Sequence, residues 1–146
     1  METATKHQRI TEVLQDYWLS KCVKDIIPSD GEIDPQDLGE LWEHCFLVQK
    51  IDADKFQYLH MGKEIIEAYG DDLTGHEICE RLVGKLHEPL ANEFSEVVAT
   101  RRPLLKESSF INAKQMDVRY RTILLPLRRN SAAVEYILGG MKWKAF

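Results

Sequence analysis

The stretch 55–75 constrains the fold most, because its hydrophobic repeat changes from two residues to three or four halfway along. Phe56 and Tyr58 follow the two-residue repeat of a half-buried strand. After Gly62 the apolar residues recur at helical spacing, and Gly70 is a typical helix stop. The stretch holds no nucleophile, metal cluster or phosphate loop, so we expect it to build architecture rather than a reaction centre.

Two further helices are predicted after this stretch. Thr74 and Glu77 have the spacing of a capping box, which predicts a helix over about His76 to Lys85. A longer helix is expected from about Pro89 to Thr100 and should end before Pro103, since proline disfavours helical backbone in the preceding residue. Both helices would lie between the second and third strands.

The clearest helix is N-terminal, from Thr5 to about Asp25. Its apolar residues fall on one stripe of a helical repeat. The stripe must pack on the sheet of the same chain or on a second chain, and the pattern leaves these two alternatives open. The candidate dimer-interface residues on it are Ile10, Leu14, Tyr17 and Trp18.

The remaining patterns complete an α+β fold. Asp34 and Pro35 are an N-cap and first-turn pair, which predicts a short helix. Alternating or short apolar runs predict five strands: 44–48, the strand at Phe56, 104–111, 116–128 and 132–146. Most neighbours are hairpin-linked, which indicates one five-stranded antiparallel sheet with helices between strands two and three.

Two details of the last strands carry specific predictions. The run 123–127 is apolar on both faces, so a helix must cover the second face there, and the stripe of the N-terminal helix is the candidate cover. Pro126 cannot donate to a strand ladder, so we expect a bulge or an edge at this point. Gly139 and Gly140 predict a bulge or a close approach to the backbone.

Composition excludes some classes of protein. With 146 residues and a net charge of −5, the chain is one domain in size and lacks the basic surplus of a non-specific nucleic-acid binder. Its three cysteines are far apart and odd in number, which favours reduced thiols. The polar N-terminus and the absence of any run of about 20 apolar residues indicate no signal peptide and no membrane span. These features favour the cytoplasm.

The pattern resembles the PAS domain family, in particular a compact bacterial branch in which the PAS domain makes up almost the entire protein. The resemblance spans about Thr11 to Gly140 and divides the chain into an N-terminal helix and linker, 1–30, and a PAS-like domain, 31–146. The residues that carry it are Tyr17-Trp18, Ile33-Asp34-Pro35, Phe56 to Gly62, Ile66 to Gly70, Asp72 to Gly75, Ile123 to Leu127 and Ile137 to Gly139.

This resemblance implies a sensory or regulatory module of bacterial signal transduction that forms homodimers and binds a signalling protein, such as a histidine kinase, or a small-molecule ligand. It does not imply a particular cofactor, because members of the family bind haem, flavin, small acids or nothing visible. The cofactor is therefore unknown. Two alternatives remain open: a small ligand carrier or enzyme with a cavity on the sheet face, and an interaction scaffold without a pocket.

We find no catalytic constellation and no metal site in the sequence. Cys79 does not have the surroundings of a flavin-reactive cysteine, and His87 is more simply explained as a solvated residue at a helix start than as a haem ligand. His76 with Cys79, or His44 with His60, gives only two ligands of a metal. We therefore expect a binding protein rather than an enzyme.

A ligand pocket is expected between the concave face of the sheet and the middle helices. Core packing is the simpler role for most candidates, and the three tyrosines are favoured because a buried phenol needs a hydrogen-bond partner. The candidate lining residues are Phe46, Tyr58, Ile66, Tyr69, Phe94, Leu125 and Tyr136.

Overall fold

A computed structural model describes residues 9–52, 55–79, 90–129 and 133–146 of the chain. The helices are α1 (Ile10–Lys21), α2 (Pro35–Leu38), α3 (Lys63–Tyr69) and α4 (Ala91–Thr100), with short 3-10 turns at Asp30–Glu32 and Gly39–His44. The strands are β1 (Cys45–Asp52), β2 (Lys55–Met61), β3 (Glu77–Cys79), β4 (Leu104–Ile111), β5 (Asp117–Arg128) and β6 (Val134–Ala145).

The described strands form one antiparallel sheet in the order β3-β2-β1-β6-β5-β4. The predicted α+β architecture is confirmed, but the sheet has six strands where the sequence predicted five. The longest pairing joins β5 to β6, and its partners run from Val118 opposite Ala145 to Arg128 opposite Val134. β1 pairs with the first half of β6 only, beginning where Cys45 lies opposite Gly140.

The sixth strand replaces the start of a predicted helix. Glu77–Cys79 pairs with β2 at the sheet edge, so the helix predicted from His76 is wrong over these residues. The backbone amide and the hydroxyl of Thr74 both donate to Asp72 Oδ1, at 3.0 and 2.6 Å. Thr74 therefore belongs to a turn closed by Asp72, and the rest of the predicted helix, 80–85, lies outside the described residues.

The helix α3 forms as the sequence predicted. It begins after Gly62 and ends at Gly70, which has a left-handed backbone with φ of 78°. The Gly70 amide donates to the carbonyl of Ile66 at 2.8 Å, which satisfies one of the last carbonyls of the helix. Asp34 likewise caps α2, since its side chain accepts a hydrogen bond from the amide of Gln36.

The helices and the sheet enclose two separate hydrophobic clusters. The inner cluster lies between the sheet and α3 and α4, and includes Phe46, Tyr58 and Phe94. The outer cluster lies on the opposite face of the sheet, where Leu14 and Trp18 of α1 pack on β5 and β6. The N-terminal helix of this chain is thus the cover that the two-sided apolar run 123–127 required.

Pro126 lies at an edge, as predicted. The pairing of β4 with β5 begins at Leu124, so β4 does not extend alongside the proline. The carbonyl of Pro126 accepts a hydrogen bond of 2.9 Å from Trp18 Nε1, and beyond it Arg128 donates its amide to the carbonyl of Pro28. The edge left by β4 is therefore satisfied by α1 and by the segment that follows it.

Gly139 and Gly140 bring the backbone of β6 close to both clusters, which confirms the predicted close approach. A β-carbon at position 139 would overlap the ring of Phe46 on the inner face. A β-carbon at position 140 would lie 2.7 Å from Leu14 Cδ2 on the outer face. Adjacent residues of a strand face opposite sides of the sheet. The two glycines therefore let Phe46 of the inner cluster and Leu14 of the outer cluster both pack directly on the backbone of β6.

Candidate functional site

The inner cluster is dominated by aromatic rings contributed by three elements. Phe46 of β1, Tyr58 of β2 and Phe94 of α4 are fully buried, with 0% exposure each. Their ring centroids lie 5.9 to 6.4 Å apart, and Phe46 and Tyr58 meet edge to face. Edge-to-face contacts between aromatic rings stabilise a core beyond the area that they bury. The three rings form the centre of the candidate site.

The polar group at the centre of this cluster is a pair of tyrosine hydroxyls. Tyr58 Oη and Tyr69 Oη share a buried hydrogen bond of 2.9 Å, and the two rings are perpendicular. A hydroxyl can both donate and accept a hydrogen bond, so either atom of this pair can be the donor. The sequence favoured these tyrosines because a buried phenol needs a hydrogen-bond partner, and in the structure each of the two hydroxyls is a partner of the other.

The structure brings together five of the seven predicted pocket residues. Phe46, Tyr58, Tyr69 and Phe94 belong to the inner cluster, and Ile66 packs against it. Leu125 and Tyr136 instead belong to the outer cluster and cannot line the same pocket. Their placement on the concave face was therefore wrong.

The alternation of β5 was the available signal for this correction. Val118 and Tyr120 share the inner face of β5, and the same parity places Leu124 inside and Leu125 outside. On β6 the inner residue is Ile137 rather than its neighbour Tyr136. Leu125 and Tyr136 were chosen by residue type, whereas the alternation of residues along β5 and β6 indicates the inner face correctly.

Sequence reasoning also missed aromatic residues at both ends of the inner cluster. Phe56 packs on Phe94 with ring centroids 5.4 Å apart. Phe110 of β4 lies 5.3 Å from Tyr69 and 5.7 Å from Tyr120. The rings therefore form a continuous chain of contacts across the sheet, from β2 to β5. The alternation of each strand indicated these positions.

Cys22 and Cys45 lack the lowered thiol pKa of a reactive cysteine. Cys45 is fully buried in the outer cluster, and burial raises the pKa of its thiol to about 12. Burial, with smaller contributions from Glu32 and Asp25, also raises the pKa of Cys22. A raised pKa keeps a thiol protonated and unreactive at neutral pH. Cys79 lies in the edge strand β3 rather than on the helix predicted for it.

One of the described histidines, His60, stacks on an aromatic ring. The His60 imidazole stacks on the Trp42 indole with centroids 4.3 Å apart and planes 9° from parallel. Burial lowers the pKa of His60, while a hydrogen bond to the Trp42 backbone and the charge of Asp72 oppose that shift. Within the described part of the chain, no three His, Cys, Asp or Glu side chains are grouped to hold a metal ion. His87 lies outside the described residues.

The four candidate interface residues of α1 have different surroundings. Leu14 and Trp18 are buried against the sheet of their own chain, with 0% and 5% exposure. Ile10 and Tyr17 are half-buried. The Tyr17 hydroxyl donates to Asp37 Oδ2 at 2.9 Å and accepts the Asp34 amide at 3.0 Å. Leu14 and Trp18 thus stabilise the single chain, and Ile10 and Tyr17 remain partly accessible.

Comparison with known proteins identifies the class of this fold. The sequence profile described as PAS domain matches residues 6–142, nearly the whole chain. The chain therefore belongs to the PAS domain family, whose members are sensory modules. No curated protein matches the sequence. None of the helices described here is both long and apolar enough to cross a membrane.

Solved structures support the same fold at low sequence identity. A fungal LOV domain photoreceptor is 14% identical, with a TM-score of 0.53 and 89% of each chain covered. The PAS domain of the fruit-fly ELK potassium channel is 11% identical, with a TM-score of 0.50, over 73% of this chain and 91% of the other. The Rhodobacter sphaeroides LOV protein is 14% identical with a TM-score of 0.51, over 68% of this chain and 58% of that longer protein.

Proposed function

We propose that this chain is a regulatory module of bacterial signal transduction that acts by binding a small molecule or a signalling protein, such as a histidine kinase, and by forming a homodimer. Binding at the inner cluster changes how the sheet packs on α1, and the altered outer side is what a partner recognises. The module works in the cytoplasm and catalyses no reaction. Its membership of a family of sensory modules supports this role.

The observation that carries the proposal is the contact of both clusters with adjacent glycines of β6. Phe46 lies over Gly139 from the inner side, and Leu14 of α1 lies over Gly140 from the outer side. Since close-packed side chains cannot shift independently of a backbone that they touch, a movement of Phe46 displaces the strand on which α1 rests. The inner cluster is therefore mechanically coupled to the outer face.

The mechanism is a shift between two packings of the same fold. A ligand that enters beside the Tyr58–Tyr69 pair and binds one packing more tightly raises the population of that packing. The energy available for the shift is the difference between the affinities of the ligand for the two packings. The outer face then presents a changed arrangement of α1.

Native mass spectrometry of the purified protein tests the binding proposal. We expect a species that contains two copies of the 16.9 kDa chain, together with a small-molecule adduct or a protein partner. Tyr69→Phe should lower adduct occupancy, because it removes one hydroxyl of the inner pair. Tyr136→Phe is the matched control, since Tyr136 lies in the outer cluster. A protein seen only as the bare single chain would contradict the proposal.

A second candidate is an interaction scaffold that binds no small molecule. It is favoured by the density of the inner cluster, in which Phe46, Tyr58 and Phe94 are each fully buried and in contact with one another. A native spectrum that contains the dimer or a protein partner and no small-molecule adduct would support this candidate over a ligand sensor.

A further inference from the structure

The uncovered part of the outer face of the sheet carries a concentrated positive charge. Arg119 and Arg121 of β5 lie directly opposite Lys144 and Lys142 of β6. The four side chains share the outer face, because the intervening Tyr120 belongs to the inner cluster and the intervening Trp143 packs against it. Arg119, Arg121, Lys142 and Lys144 are called the basic patch here. It is a local concentration of cations in a chain of net charge −5.

Within the described ranges, carboxylates compensate this charge only in part. Arg121 forms an ion pair with Glu107, and Arg119 lies 3.9 Å from Asp117. The described carboxylates that pair with the patch are thus two for its four cations. Like charges directly opposite each other destabilise a pair of strands, so the arrangement is costly for stability and calls for another explanation.

Exposed apolar side chains adjoin the basic patch. Leu105 and Ile111 of β4 are 54% and 60% exposed, and the pairing places them on the same face as the patch. Phe146 is 67% exposed, and its ring centroid lies 4.5 Å from the guanidinium carbon of Arg119. A surface with central cations and apolar neighbours is suited to a protein partner, because it supplies both charge and apolar area.

A complementary surface is present on the same chain. The segment 30–43, called the acidic segment here, holds six carboxylates and no lysine or arginine. It lies on the outer side of the sheet, because Leu38, Leu41 and Trp42 pack on the outer cluster. Its acidic residues are Asp30, Glu32, Asp34, Asp37, Glu40 and Glu43.

Among the described residues, neighbouring cations pair with only part of the acidic segment. Glu32 pairs with Arg128 at 3.6 Å, and Asp37 lies 4.0 Å from Lys21. Glu40 and Glu43, at the other end of the segment, are exposed. These two carboxylates are accessible to cations from outside the chain.

From this charge distribution we infer that the basic patch binds the acidic segment of a second copy of the chain. A two-fold axis makes such a contact twice, since each copy presents both surfaces and the interface is self-complementary. Complementary charge also directs the two copies into this orientation as they approach. The inference rests on the proposed dimerisation and names its surfaces: the basic patch and the acidic segment, rather than the buried side of α1.

A charge-swap experiment tests the inference by light scattering coupled to gel filtration. The wild-type chain should have a mass near twice 16.9 kDa at low salt and approach 16.9 kDa at high salt. The contrast is largest between about 0.01 M and about 1 M salt, where the screening length falls from about 30 Å to about 3 Å. Lys142→Glu with Lys144→Glu should raise the dissociation constant at least about tenfold.

Two further samples make the result specific. Glu40→Lys with Glu43→Lys should weaken self-association in the same way, and an equimolar mixture of the two double variants should recover dimerisation to within about threefold of the wild type. Lys63→Glu with Lys114→Glu makes the same change in net charge at exposed lysines outside the patch and should leave the dimer intact. Circular dichroism of each variant checks that it is folded.

Several outcomes would overturn the inference. A dimer unaffected by both reversals would show that the chain dimerises through another surface, which leaves the proposed function intact. A wild-type chain that stays at 16.9 kDa at every salt concentration would remove the second copy as the occupant. The inference is also overturned if the monomer instead binds poly-glutamate or a nucleic acid through the patch, because the partner is then a different molecule.

Discussion

The two faces of the sheet differ in what they bury and in how completely they are covered. The inner face is packed with aromatic rings and contains the hydroxyl pair of Tyr58 and Tyr69. The outer face is covered by α1 over one half, and its other half carries the basic patch. In the proposed function the inner face is the binding core and the outer face is the docking surface, and Gly139 and Gly140 connect them.

The largest expected effect is a loss of stability when a ring of the inner cluster is removed. Phe94→Ala removes a fully buried ring that contacts Phe46, Phe56 and Tyr58, and should lower the free energy of unfolding by about 4 kcal/mol. Urea denaturation measures this loss. Leu105→Ala on the exposed outer face is the control and should change stability by less than about 0.5 kcal/mol. Equal effects would contradict the assignment of Phe94 to the core.

The two glycines should respond unequally to the same added methyl group. Gly139→Ala forces a β-carbon into the ring of Phe46 and should destabilise the fold by about 3 kcal/mol. Gly140→Ala brings its β-carbon to 2.7 Å from the far end of the Leu14 side chain, a milder overlap than with the Phe46 ring, so about 1 kcal/mol is expected. Thermal unfolding of both variants makes the comparison, and a larger cost at position 140 would reverse the account of which face is packed more tightly.

A smaller effect concerns the attachment of α1 to the sheet. Trp18→Phe removes the hydrogen bond to the Pro126 carbonyl and should cost about 1 to 2 kcal/mol. Trp143→Phe is a matched control, because Trp143 Nε1 has no hydrogen-bond partner in the described part of the chain. Denaturation curves should therefore show the greater loss for Trp18→Phe. If the control loses as much, the hydrogen bond does not hold α1 in place.

The smallest effect is a pH dependence from His60. Burial lowers its pKa in the folded chain below the ordinary value of 6.5, so the unfolded chain binds more protons as the pH falls below 6.5. The contribution of His60 to stability is thus present above pH 6.5 and is lost in acid. We expect the melting temperature to fall less steeply between about pH 7.5 and about pH 5.5, one unit either side of that ordinary value, in His60→Gln than in the wild type. Parallel profiles would contradict this.

Local patterns predicted much of the fold, because short-range chemistry decides those elements. The end of α3 at Gly70, the cap at Asp34 and the close approach at Gly139 each follow from one residue and its immediate neighbours. The covering of the run 123–127 by a helix followed from its apolar character on both faces. The sequence alone left open whether that helix came from this chain or from a second one.

The errors arose where a distant pairing decided between two local structures. The spacing of Thr74 and Glu77 fits a capping box, but the amide and the hydroxyl of Thr74 both donate to the carboxylate of Asp72. The Gly75 amide also donates to the Tyr58 carbonyl at 2.7 Å, which draws the chain beside β2 and makes β3 a strand. A local sequence pattern cannot indicate a pairing such as that of β3 with β2, because the two strands are distant in the sequence.

The candidate site was predicted in part for the same reason. Tyr58 and Tyr69 were chosen because buried phenols need partners, and they are hydrogen-bonded to each other. Leu125 and Tyr136 were chosen by residue type and lie on the wrong face. The alternation of β5 predicts the correct face for Leu125. That β1, β2 and α4 meet in one cluster could be seen only in the folded structure.

The coupling of the two faces is the central claim, and hydrogen exchange of the α1 amides tests it most directly. Phe46→Leu and Phe56→Leu each replace a fully buried ring of the inner cluster with a smaller side chain, but only Phe46 lies over Gly139. After correction for global stability, we predict that Phe46→Leu lowers the protection of Ile10–Lys21 and that Phe56→Leu leaves it unchanged. Equal protection of α1 in the two variants would contradict the claim.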